Sequence, residues 1–201
     1  MKRFWFLVVF MLVLPVPVIG ADKPSSATSL AGRMLVATDK LNDPYFHHAV
    51  VYLIEHDRAG AVGVIVNRRM GEGSLADLVE ELGFSIPDDR KVELYFGGPV
   101  ALRGVFVLHS QEYDGPRTLK APKGLAMTAD KSIIRAIAEG HAPRRVRFMM
   151  GYAGWGAGQL DEEVRRGDWL DAPADEALIF EEGGDVDEIW RRARDKAGLT
   201  L

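Results

Sequence analysis

The residues best suited by type and spacing to do chemistry form one run, Gly151-Tyr152-Ala153-Gly154-Trp155-Gly156-Ala157-Gly158-Gln159. Glycine tolerates positive φ and allows close approach to the backbone. A helix opening just after such a run presents free N–H groups and the positive end of its dipole. That combination suits a ligand loop for a carboxylate or a phosphate, with Trp155 as one wall. Gly154-x-Gly156-x-Gly158 is not the dinucleotide spacing G-x-G-x-x-G, and no Gly-Lys-Ser/Thr follows to make a phosphate loop. Asp161, Glu162 and Glu163 in the next turn would satisfy the dipole themselves and repel an anion. The competing account is a tight turn whose tryptophan plugs the core.

The acid–base candidates are sparser. Glu55-His56-Asp57 sits at an expected hairpin turn, but neighbours in an extended chain point to opposite faces. Turn bonding by Asp57 beside a solvated His56 explains the same residues. Asn67 and Arg68 close the following strand and would line the same rim. His109-Ser110 ends an apolar run without the G-x-S-x-G context of a hydrolase nucleophile. His47, His48, His56, His109 and His141 lack the spacing of metal ligands, and there is no H-E-x-x-H. With no cysteine there is no thiol nucleophile, no Cys-ligated zinc, no iron–sulfur cluster and no lipid anchor. The candidate ligand-binding set is therefore Asn67, His109, Tyr152, Gly154, Trp155, Gly156, Gly158 and Gln159, with no cofactor and no metal expected.

The elements that must position these residues follow from periodicity. Met34–Ala37 reads as a buried strand, and Val50–Ile54 with Ala61–Val66 as a hairpin turning through 55–60. Leu75, Leu78, Val79 and Leu82 make one stripe of a helix opened by Ser74 and stopped by Gly83. Val92–Phe96, Gly104–His109 and Val146–Met150 read as strands. A capped helix carries Ile133, Ile134 and Ile137, a short one spans Leu160–Arg166, and a last one runs from Val186 to Ala197 with Asp185 as cap. Arg144, Arg145 and Arg147, and Arg191, Arg192 and Arg194, read as solvated, ion-paired faces. Hairpins mixed with helices imply one compact α+β domain, a mixed β-sheet with flanking helices.

Residues 1–21 carry Lys2 and Arg3, an apolar core from Phe4 to Leu14, and small residues at Gly20 and Ala21, the order of a secretory signal peptide. Pro15 and Pro17 argue against a stable membrane span. A polar, flexible lead-in over 22–31 and the domain proper over 32–201 follow. Removing 1–21 leaves 23 basic against 29 acidic residues, a formal charge of −6. The expectation is an exported, periplasmic protein whose charge argues against direct nucleic-acid binding.

Several segments resemble the YqgE/AlgH family of bacterial proteins. They are Leu41–Phe46, Val50–His56, Gly63–Arg68, Gly97-Gly98-Pro99-Val100, Val107–Ser110 and above all Gly151–Leu160, continued by Trp169-Leu170, Pro173-Ala174-Asp175, Phe180 and Trp190. The resemblance spans about residues 32–199. It implies a compact single α/β-type domain and assigns no reaction. One branch of the family carries a label as a transcriptional regulator of alginate synthesis, without a recognisable DNA-binding element. This chain departs in its N-terminal signal, where relatives look cytoplasmic, and in Ile54, where the family commonly has Cys.

Three functions are consistent with the residues. The first is a non-catalytic domain binding a small ligand or a protein in a regulatory role. The second is an enzyme of unspecified reaction using His56 or His109. The third is indirect transcriptional regulation, as the family label implies.

Overall fold

Runs such as Met34-Leu35-Val36-Ala37, apolar at every position, suit a strand buried on both faces. The structure, a computed structural model, describes residues 28–81, 90–122 and 124–198. The expected signal peptide and most of the lead-in lie outside the described residues, as does Leu82.

The elements in order are β1 (Arg33–Ala37), β2 (Val50–Asp57), β3 (Gly60–Ile65), β4 (Arg69–Ser74) and α1 (Leu75–Glu81). Then come β5 (Lys91–Phe96), β6 (Val100–Ser110), β7 (Thr118–Lys120), β8 (Leu125–Thr128) and α2 (Lys131–Ala138). The chain ends with β9 (Val146–Gly156), α3 (Gln159–Arg166), β10 (Trp169–Pro173), α4 (Glu176–Ile179) and α5 (Val186–Gly198). The sheet runs β10-β1-β2-β3-β9-β6-β8-β7, with β5 beside β9 and β4 beside β5. The β5–β9 pair is parallel and the other described pairs are antiparallel. The architecture is α+β, one domain built on a curled, largely antiparallel sheet.

The curl explains the burial pattern. β2 packs against β7 and β8, from the far end of the strand order, so the sheet encloses an interior. Met34, Val36, Tyr52, Ile54, Leu108 and Met149 fill it, and Trp190 and Ala193 of α5 close it. The alternate residues Leu35, Val51, Leu53 and Ile65 face outward into a second core with Leu160 and Trp169. A third core joins α1 and α2 to the outer face of β6 and β9 through Leu75, Ile133, Ile134, Val107 and Phe148.

Helix starts follow local capping. Asp130 accepts from the Ser132 backbone N–H at 2.9 Å, and Asp185 accepts from those of Asp187 and Glu188, both at 3.0 Å. Such caps satisfy donors that the first turn leaves free.

Four expectations are corrected. The hairpin turns at Arg58-Ala59, with Glu55, His56 and Asp57 inside β2, although Asp57 does make its turn bond to the Ala59 N–H at 2.7 Å. His56 is buried rather than solvated. The Gly-rich run is a loop only at Ala157 and Gly158, because β9 continues through Gly156 and pairs with β3. Arg147 is no part of a solvated face, being only 4% exposed. Strands β4, β7, β8 and β10 and the single turn α4 carried too little pattern to anticipate. β4 is Arg-Met-Gly-Glu-Gly-Ser and β7 has three residues. β10 ends at Pro173 on the sheet's edge, where a strand proline is tolerated.

Candidate functional site

Because β9 is a strand, its side chains alternate across the sheet, and the predicted set is divided accordingly. Tyr152 packs against the interior core, while Ala153 and Trp155 belong to the outer one. Trp155 is 6% exposed, stacks on Phe46 at 6.0 Å and meets Trp169 edge-on at 6.0 Å. Its indole N–H donates to Glu163 Oε2 at 2.9 Å, and the Trp169 indole donates to the same oxygen at 2.8 Å. Gln159 completes the arrangement, donating to Glu163 Oε1 at 2.9 Å and accepting from the Gly156 N–H at 3.1 Å. Gly158, with φ of +71°, turns the chain from β9 into α3. Trp155, Gly156, Gly158 and Gln159 thus form one hydrogen-bonded corner under α3.

Asn67 and His109 lie elsewhere. Asn67, 1% exposed, accepts from the Val50 N–H at 2.9 Å and donates to the carbonyls of His48 and Val186 at 2.9 and 3.1 Å. It ties the end of β3 to the starts of β2 and α5. His109 is fully buried. Its Nδ1 faces the Ser110 carbonyl at 2.8 Å, which can only accept, so Nδ1 carries the proton. Nε2 then accepts from the Thr128 hydroxyl at 2.8 Å, and Thr118 donates to Thr128 in turn at 2.6 Å. Burial holds the imidazole below its usual 6.5, against the opposing pull of the Ser110 carbonyl.

His56 has the carboxylate neighbour that an acid–base role would need, with Asp161 Oδ1 3.5 Å from its Nε2. Its Nδ1, however, accepts from the Leu30 backbone N–H at 3.1 Å, leaving no free lone pair for a substrate. Among the described residues, no three His, Asp or Glu side chains cluster as metal ligands would. No helix among them is long and apolar enough to cross a membrane.

Of the predicted set, Tyr152 lines a pocket. Its ring is half-buried and meets Phe106 edge-on at 5.3 Å. Together with Val62, Leu119 and Met127 they wall an apolar pocket of about 200 Å³, rimmed by Arg117. Gly154 lies beneath the ring, where a Cβ would come 3.4 Å from Tyr152 Cε2.

Two residues escaped the sequence reading. Glu163 looked like one acid of a helix's first turn, and nothing local signals that two indoles converge on it. Arg147 looked like a member of a basic cluster. Its one local clue was its place between Val146 and Phe148 in a strand, where a charge can point inward. Its guanidinium lies 3.8 Å over the Tyr95 ring and donates to the carbonyls of Val66 and Glu181 at 2.5 and 2.6 Å. Tyr95 donates to Glu93 at 2.6 Å, and burial together with that bond pushes its hydroxyl up to about 12.

Comparison with known proteins agrees with this architecture. The sequence model of the AlgH-like family matches residues 34–201. A UPF0301 protein of Methylococcus capsulatus is 45% identical over 178 residues, covering 89% of this chain and 97% of the relative. A UPF0301 protein of Rhodospirillum rubrum is 44% identical over 153 residues, covering 76% of this chain and 80% of the relative. Among solved structures, the solution structure of the AlgH protein from Pseudomonas aeruginosa is 36% identical with a TM-score of 0.71, covering 90% of this chain and 94% of that one. A match over this much of the chain, at this identity, makes the protein a member of the AlgH-like family.

Proposed function

We propose that this protein is an exported, non-catalytic binding domain with a regulatory role, holding a small ligand or a side chain of a partner protein at the Tyr152 pocket. One observation carries the reading. Tyr152 lines an apolar pocket, and its hydroxyl makes no hydrogen bond among the described residues, whereas both ring nitrogens of His109 are committed to protein groups. An apolar wall with a few oriented polar groups is what a binding site needs. General acid–base catalysis needs a nitrogen within reach of substrate, and the two candidate histidines do not offer one. The Trp155 corner holds the strand that carries Tyr152.

Native mass spectrometry of protein recovered from its own cells should show a bound small molecule or partner, lost on Tyr152→Ala. Protein that carries neither, or that keeps its ligand after the substitution, would overturn the assignment. Export is tested separately, by N-terminal sequencing of the native product. The expected first residue is Asp22, and a cytoplasmic product beginning at Met1 would rule export out.

A further inference from the structure

The cleft beside Arg147 shares no lining residue with the Tyr152 pocket, and its chemistry is different. It has a volume of about 590 Å³, within the roughly 300–1,000 Å³ of small-molecule sites. On the Arg147 side its apolar lining is Tyr95 and Phe180. Arg147 lines it while almost wholly buried, and a guanidinium has more N–H donors than its two carbonyl partners occupy.

The charges around the cleft are unevenly matched. Glu72 and Glu93 are both held by Arg69, at 3.1 and 2.7 Å, and Glu93 also accepts from Tyr95. Arg144 reaches Glu112 only at 3.8 Å. Lys91 and Arg145 line the cleft, are exposed, and form no ion pair among the described residues. Glu182 is the one lining acid left to oppose them. Two uncommitted cations with a buried guanidinium and an apolar wall make a receptor for a doubly charged oxyanion on an apolar body.

We infer that this cleft binds a small organic dianion, a phosphate ester or a dicarboxylate, with its anionic group on Lys91, Arg145 and Arg147 and its apolar part on Phe180, whose ring lies 5.9 Å from the Arg147 guanidinium.

The probes are phenyl phosphate, phthalate and neutral benzyl alcohol, titrated at low ionic strength while backbone amide shifts are followed by NMR. Saturable shifts confined to 91–95, 144–148 and 180 are expected from a dianion and not from benzyl alcohol. Whichever dianion binds more tightly identifies the ester or the dicarboxylate as the natural group. Lys91→Ala with Arg145→Ala should weaken binding by about tenfold or more. Both side chains are exposed, so their removal opens no core. Shifts elsewhere, equal binding of benzyl alcohol, no saturable binding of either dianion, or unchanged affinity in the double variant would each overturn the inference.

Discussion

Truncating Trp155 to alanine should remove about 3–5 kcal/mol of folding stability, the range for deleting a large aromatic from a packed core. The indole is buried between Phe46 and Trp169 beneath Leu160, so alanine leaves a cavity that its neighbours fill only in part. The loss also strips Glu163 Oε2 of one of its two indole donors. Trp155→Phe separates these contributions. It keeps most of the apolar contact and gives up the hydrogen bond, so it should cost about 1–3 kcal/mol. Urea unfolding of the three proteins measures both differences. An alanine variant within about 1 kcal/mol of the parent would mean that Trp155 is a ligand wall exposed in solution, because a residue outside the core leaves no cavity.

Gly151→Ala should be comparably damaging, although it adds a single methyl group. The residue has φ of +71°, a conformation that costs an L-residue about 1–2 kcal/mol. More seriously, a Cβ there would lie 2.4 Å from the Gly98 carbonyl oxygen and 2.8 Å from that of Val100. Reciprocally, a Cβ on Gly98 would lie 2.4 Å from the Tyr152 carbonyl. The obstacles are backbone, which cannot rotate away as a side chain would. The variant must shift β9 against β6, and a total loss of at least about 3 kcal/mol is expected, in the range of overpacked core sites. Gly154→Ala is the contrast, since its Cβ would meet only ordinary contacts from Tyr152 and Val100. That change should leave stability within about 1 kcal/mol of the parent. Equal effects at 151 and 154 would show that close backbone approach is not why Gly151 is glycine. Thermal and urea unfolding of the pair decide it.

Both expectations bear on what the glycines are for. Four of them in eight positions exceed what a turn needs, and the excess at Gly151 answers to another strand's backbone. The other half of that contact, Gly97-Gly98-Pro99, is more than fifty residues earlier in the chain. Local sequence can show that a glycine is present; it cannot show which backbone crosses it.

The same division runs through the molecule. The sequence by itself determined the strands with two buried faces, from Met34–Ala37 and Val50–Ile54, and the helices α2, α3 and α5. Side-chain period and capping are local properties, carried by residues within a few positions of one another. It also determined the family, through ordered motifs along nearly the whole domain. Only the tertiary structure decided that β9 runs on through the glycines, because β3 supplies the partner that makes Gly154–Gly156 a strand. Only the tertiary structure separated Tyr152 from Trp155, buried His109 against Thr128, and drew Arg147 out of its basic cluster onto Tyr95. Each of these is a contact between residues distant in the chain, and its energy comes from excluding water around a partner that local sequence does not name.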